Sequence, residues 1–348
     1  MKIAFTGDVV FHAKFDGMEE NEKILEKSIV DFLKETDYCV CDLEGPIYSN
    51  KARNDKVAIR SRPGIKSFLS RINGNVLFLG NNHILDYDEP GFKETIEFAD
   101  ANGLLRFGTG ENIDEASKPL YLGDICGLLG LRYNNKHARA THDTLGCLIW
   151  DEDEIIKNRI EEIKKQCRWC VLVIHGGDEF CVSPFPEIRN RYKKFLDWGA
   201  DIIVAHHPHV IQNYEIIDGK AIFYSLGNFV FDDDYMRTFP EAKEGILVRL
   251  DLQSDSYSWD FMPVYIDGDI PLIRETKNPP AFNCITDESD YIEKAKKAMR
   301  DFINKEKVNL KYQYNRKDIK WKAKLRIIMS HIKRYIVLKR KAKKLLSQ

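Results

Sequence analysis

Five apolar runs in this chain each end in a polar side chain able to hold a metal, and the pattern reaches from Asp8 to His209. KIAFTG runs into Asp8, YCVCDL into Glu44, and VLFLG into Asn81, Asn82 and His83. CVLVI runs into His175, and DIIVA into His206, His207, Pro208 and His209. Short β-rich runs bounded by glycine and polar residues read as buried strands. In an α/β sheet, ligands bind outside the carboxyl ends of the strands, where all five clusters would sit. The pattern predicts one site assembled from remote pieces of a layered α/β fold.

The elements between these runs sharpen the prediction. A first strand over about 2–7 leads through Asp8 to a helix expected near 20–36, then a strand near 37–43. A helix near 64–72 precedes a strand near 75–79, and a helix with Pro90 in its first turn stops near Gly103. A hairpin-like stretch runs from Leu120 to Arg132, and charged helices are expected near 151–166 and 187–198. Asp218-Gly219 then lies between alternating runs as a hairpin signal, and the β pattern continues to about residue 270. Strand–helix alternation followed by hairpins predicts two stacked sheets with helices outside. From about residue 286 the pattern turns helical and polar, so the expected division is a domain over 1–285 and an extension over 286–348.

With 348 residues, 43% of them hydrophobic, the chain can build a large core. No signal peptide is recognisable, and no apolar stretch approaches the roughly 18 residues that span a bilayer, so a cytoplasmic location is expected. The eight cysteines fit a reduced protein. Cys167 and Cys170 form a Cys-x-x-Cys without a second pair at zinc-finger spacing, and Cys39 and Cys41 alternate along a strand as core residues.

The net charge of -1 conceals two oppositely charged parts. Residues 311–348 hold 14 Lys or Arg against the single acid Asp318, which leaves 39 basic and 53 acidic residues in the rest. In this tail Trp321, Leu325, Ile328, Met329, Ile332, Tyr335 and Ile336 fall at helical spacing, with Lys and Arg over much of the opposite surface. Such a basic amphipathic helix suits the anionic inner face of a membrane or docking on its own acidic domain. A nucleic-acid backbone is the least favoured partner.

His207-Pro208-His209 is the strongest local signal. Proline pushes the residue before it into extended backbone, and residues two apart then project to one side. His207 and His209 are expected to aim at one point while His206 faces away. Two imidazoles beside carboxylates suit zinc, manganese or iron. Each cluster also has a plain reading: Asp8 as a helix cap, Asn81 and Asn82 as turn residues, Glu44 as a solvated loop acid, His175 as a core histidine. Five such clusters at matching strand ends point instead to a shared function.

GDVVFH, CDLEGPI, GNNHILD, HGGDEF, ADIIVAHHPHVIQ and SLGNFVFD resemble, in order, the motifs of the CapA family of poly-γ-glutamate capsule synthesis proteins. That family is a branch of the calcineurin-like metallophosphoesterase superfamily, and the resemblance covers about residues 1–235. It implies a four-layer α/β/β/α sandwich with two divalent metal ions (manganese, iron or zinc) at the strand ends. By position, Asp8 would bind one metal and Asn82, His175 and His207 the other, with His209 returning to the first and Glu44 bridging. His83 would protonate the leaving oxygen or stabilise charge on phosphate, and Asp86 would orient it. Where the superfamily usually has a histidine two residues after the aspartate, this chain has Val10, and His12 follows two residues later.

Arg60 and Arg62 lie in the loop after Glu44, and the planar guanidinium suits phosphate or carboxylate. Together with Asn81, Glu179, Ser225 and Asn228 they are candidates to line the substrate pocket. The implied activity is metal-dependent hydrolysis of a phosphoester, linked to capsule or poly-γ-glutamate synthesis. The alternatives are a non-catalytic assembly subunit that binds the anionic polymer or capsule-synthesis proteins, and a nuclease.

Overall fold

Alternation along β1 (Lys2–Val9) sets the architecture: Ile3 and Phe5 face one core and Ala4 another. The same split recurs in β2 (Tyr38–Leu43), where Val40 faces the first core and Cys39 and Cys41 the second. β3 (Val76–Phe78) and β4 (Leu105–Phe107) continue this sheet, all in parallel. In the computed structural model, residues 1–50, 58–133, 138–276 and 282–315 are described, with scattered helical positions between 321 and 343.

After a short strand, β5 (Thr109–Gly110), the chain builds a second sheet from β6 (Leu120–Leu122) and β7 (Cys126–Arg132). β8 (Gly146–Cys147) pairs with β5, and β9 (Trp169–His175), β10 (Ile202–His206), β11 (Ile211–Ile217) and β12 (Lys220–Leu226) complete the second sheet. Its order is β11-β12-β10-β9-β7-β6, with parallel pairs at the centre and antiparallel edges. The chain then returns to the first sheet. β13 (Asn228–Val230) pairs in parallel with β1, and β14 (Glu244–Leu252), β15 (Tyr257–Asp267) and β16 (Leu272–Glu275) extend it antiparallel.

Ile3, Phe5, Val40 and Phe78 meet Leu128, Val171, Val204 and Phe223 between the two sheets. Each such buried side chain contributes roughly 1.5–3 kcal/mol. The outer face of the first sheet packs on α1 (Lys27–Lys34), α2 (Ile65–Arg71) and α3 (Asp88–Ala101) through Leu33, Phe68 and Phe92. The outer face of the second packs on α4 (Ile113–Ala116), α5 (Asp153–Gln166) and α6 (Pro186–Asp197) through Ile113, Ile160 and Phe195. This is the α/β/β/α sandwich expected. The Asp218-Gly219 turn joins β11 to β12 with both residues at positive φ, 50° and 78°, as a tight hairpin turn requires.

The long helix α7 (Glu288–Asn315) begins on the body of the sandwich. Met299 and Phe302 pack with Phe180, Phe231 and Phe239, and Arg189 on α6 pairs with both Glu215 on β11 and Glu288. In the tail, Trp321, Leu325, Met329, Ile332 and Ile336 are exposed, and no helix among the described residues is long and apolar enough to cross a membrane.

The helix expected near 20–36 is shorter. Glu22–Ile24 forms a single 3-10 turn, and Leu25 then bridges to Ile273, with the Glu26 amide donating to the Ile273 carbonyl. Pairing with β16 holds this backbone extended, so the helix starts at Lys27. The eight cysteines are free, and Cys167 and Cys170 are buried thiols pushed up by burial, which fits packing rather than metal or redox chemistry.

Candidate metal centre

Strand register brings the donors together. Asp8 on β1 lies beside Asp42 on β2 and Asn228 on β13, while His175 on β9 lies beside His206 on β10. Asp42 shares the face of Val40, His175 that of Val173 and His206 that of Val204, so all three point into the seam between the sheets. The carboxylates come from one sheet and the imidazoles from the other. His175 Nδ1 and Asp42 Oδ2 meet across the seam at 2.8 Å.

Around this seam the loops after the strands add the rest. Glu44 Oε1 lies 3.7 Å from Nε2 of both His83 and His175, and 3.9 Å from His209 Nε2. His175 Nε2 is 2.7 Å from Asn82 Oδ1 and 3.2 Å from His207 Nδ1. His209 Nδ1 is 2.9 Å from Asp8 Oδ2 and also makes a hydrogen bond of 3.0 Å with Asn228 Oδ1. Three sets of donors come within 4.8 Å of one another: Asp8, Glu44 and His209; Glu44, His175 and His207; Asp8, Asp42 and His175. Glu44 belongs to two of them.

Both oxygens of Asp8 and of Glu44, and Oδ1 of Asp42, are buried without a hydrogen bond among the described residues. Burying ionised carboxylates without partners is costly unless a cation compensates. Burial pushes the Glu44 carboxyl up to about 8 and raises Asp42 well above its ordinary range. Burial acts upward on Asp8 too, but His206 and His209 outweigh it and hold Asp8 well below that range. His175 and His207 are driven well below the usual imidazole value, first by burial, which leaves their ring nitrogens free to bind metal. Burial also acts downward on His209, yet Glu44 and Asp8 raise it to about 10. Acidic oxygens and neutral imidazoles around a shared carboxylate fit divalent cations.

Beside the shared carboxylate, His83 is fixed through Nδ1 by Asp86 Oδ2 at 2.7 Å, which turns Nε2 toward Glu44. Against the downward effect of burial, Asp86 and Glu44 raise the His83 imidazole. Glu179 is half-buried, and its charge acts on His83, His207 and His209.

Three residues expected in the substrate pocket are fully buried and hold up the ligand loops instead. Asn81 Oδ1 accepts from the Gly45 and His83 amides, and its Nδ2 donates to the Leu43 carbonyl. Ser225 Oγ accepts from the Gly227 amide, while Asn228 orients His209 and donates to the Ala242 carbonyl. Arg62 lies at the surface, paired with Asp16 at 2.8 Å. Arg60 is buried in the same loop. Val10 packs with Ile59, Phe180 and Phe231, so an apolar cluster occupies the place where the superfamily usually has a ligand.

His206 does not face away: it is buried, with Nδ1 3.5 Å from Asp8 Oδ1 and 3.7 Å from Asp42 Oδ2. His207 and His209 are not extended but have φ of 93° and 56°. Such left-handed backbone costs of order 1–3 kcal/mol per residue and is held here by the 2.7 Å bond from the Phe180 amide to the Pro208 carbonyl. Asp42 and His206 were missed as site residues. The alternations Val40–Asp42 and Val204–His206 carried the signal.

A cleft of about 890 Å³ opens beside Asn82 and His83, with Asp86, Glu89, Glu111 and Asp143 among its lining residues. Lys93 also lines it and pairs with Glu89 at 2.6 Å. Acidic walls of this kind repel a long polyanion.

Residues 2–233 match the family model described as bacterial capsule synthesis protein PGA_cap. The chain is 32% identical over 253 residues to the PGA biosynthesis protein CapA of Bacillus subtilis (strain 168), covering 70% of this chain and 66% of that protein. It is also 32% identical over 254 residues to the capsule biosynthesis protein CapA of Bacillus anthracis, covering 69% and 61%. A probable polyglutamine synthesis accessory protein of Mycobacterium tuberculosis (strain CDC 1551 / Oshkosh) is 24% identical over 58% of this chain and 56% of its own length. The match thus spans just under two thirds of the Bacillus relatives' lengths. With its ordered strand-end donors and two thirds of its length matched, the chain belongs to the bacterial capsule synthesis protein PGA_cap family.

Proposed function

We propose that this protein is a metal-dependent hydrolase of the CapA type, cleaving a phosphoester in capsule or poly-γ-glutamate synthesis. Residues 1–285 would carry the centre, and 286–348 an extension whose first turns are seated on it. The observation that carries the reading is the group of buried carboxylate oxygens on Asp8, Asp42 and Glu44, gathered among imidazoles and left without a hydrogen bond. Asp8, Glu44 and His209 would hold one divalent ion, and Glu44, Asn82, His175 and His207 a second, with manganese, iron or zinc as candidates. A pair of such ions, when bound, supplies a hydroxide near neutral pH and neutralises charge on a phosphoryl group. The protein's own residues do the rest. Asp42 fixes the ring of His175 so that Nε2 faces the centre, and Asn228 does the same for His209. His83, oriented by Asp86, presents Nε2 as the proton donor to a leaving oxygen.

The test is metal content of the purified protein together with hydrolysis of generic phosphomono- and diesters in added manganese. His207→Ala and Asn82→Ala should lose metal and turnover; unchanged activity in both would remove this mechanism. The second reading is a non-catalytic assembly subunit, favoured by the apolar packing of Val10. Bound metal without turnover on any ester would support it. The acidic cleft speaks against a groove for an anionic polymer. The same repulsion weakens the nuclease reading. The relatives' names place them in capsule and polymer synthesis, and the basic tail would bring this chain to an anionic membrane face or to other proteins of that synthesis.

A further inference from the structure

Arg60 is 8% exposed, and its Nε and Nη1 find no hydrogen-bond partner among the described residues. A guanidinium never loses its charge in a protein, so burying it with idle donors is worse than burying a neutral group unpaired. Its backbone is held firmly where three strand-end loops meet. The Ile59 amide donates to Asp86 Oδ2 at 2.9 Å, the carboxylate that also orients His83. Ser61 Oγ accepts from the Phe11 amide at 3.0 Å, and the Ser61 amide donates to the Pro46 carbonyl at 3.0 Å. Arg60 therefore stands between the loops that follow β1, β2 and β3, on the side where His83 and Asp86 lie. His12 reports the same neighbourhood: burial lowers its imidazole, and the positive charges of His83 and Arg60 act on it in the same direction. Arg62, two residues on, has its own acid in Asp16.

We propose that Arg60 is the receptor for an oxyanion group of the substrate, phosphoryl or carboxylate, held by its charge and a hydrogen bond from one of its idle N–H groups. This deepens the hydrolase reading and rests on it for the word substrate, but binding can be measured without turnover. The experiment is calorimetric titration of inorganic phosphate, and separately of glutarate, into the full chain, both chelator-treated and manganese-loaded. The chelator-treated protein and Arg62→Met should bind one of the two anions, and Arg60→Met should bind it at least about tenfold more weakly, as loss of a charged hydrogen-bonded pair implies. Arg60→Lys should recover only part of the loss, because an ammonium keeps the charge but not the planar, directed N–H groups of the guanidinium. Arg60→Gln carries the comparison if the Met variant does not fold. Preference for phosphate identifies a phosphoryl group, and preference for glutarate a carboxylate. Equal anion affinity in Arg60→Met or Arg60→Gln, or no anion binding by the unaltered protein in either state, overturns the proposal. Arg60-dependent binding without ester turnover would sink the hydrolase reading alone, and turnover with Arg60-independent binding would sink this one alone.

Discussion

At the scale of the residue, Asp42 carries the clearest expectation. It touches no open space, yet it holds the ring of His175 from behind. Asp42→Asn keeps the size and an acceptor oxygen but removes the charge, and metal affinity should fall about 10–100-fold with the fold intact. Equal affinity by metal titration would show that the carboxylate is dispensable. Asp42 was legible in principle, because it follows Val40 on the inward face of a strand. It is masked in the sequence because Leu43 and Glu44 follow it and close the same run. His206 was hidden by a related assumption. The rule that a residue before proline is extended fails at His207: β10 keeps its alternation through His206, and the backbone turns left-handed only at His207. The donors at the other strand ends were readable because each lies at or just beyond the carboxyl end of an apolar run.

Among the elements, the seam of β1, β13 and β14 is the most intolerant of change. A methyl on Gly245 would lie 1.8 Å from the Asn228 carbonyl oxygen. Gly245→Ala should therefore push β13 aside, cost about 1–3 kcal/mol and loosen His209. Chemical denaturation together with metal titration checks both effects, and a variant with native affinity would show the seam to be soft. The contact of α6 with β11 answers to acid. Burial alone would raise the Glu215 carboxyl, but hydrogen bonds from Arg189 and Tyr224 outweigh it and keep it below its ordinary 4.5. The charged pair thus stabilises the fold above about pH 4.5 and ceases to do so as the pH falls further. Glu215→Gln should cost roughly 3 kcal/mol at pH 7 and flatten the loss of stability toward pH 3. Urea midpoints at the two pH values decide it. The hairpin at Asp218-Gly219 and the helices on both faces followed from local rules. The shortened α1 did not, because its start is set by pairing with a strand far along the chain.

For the whole molecule, the centre joins two sheets whose facing surfaces otherwise meet mainly through apolar side chains. A cation at 100 times its dissociation constant should add about 2.7 kcal/mol, or roughly 3–5 °C in Tm for a chain of this size. No shift with manganese, iron or zinc in differential scanning calorimetry would count against any metal role. The basic tail can be tested apart from the centre. Deletion after Asn315 should leave metal binding unchanged and abolish binding to vesicles rich in anionic lipid, in which each Lys or Arg near the surface is worth about 1 kcal/mol. Vesicle binding that survives the deletion would assign the contact elsewhere. The division of donors between the sheets also sets an order of events. Asp8, Asp42 and Glu44 leave the ribosome early, and His175, His206, His207 and His209 much later. Until those arrive, the nascent first half must keep its acids in water, so closure of the sandwich and capture of the ion become a single late step. Refolding from urea should accordingly slow when chelator is present.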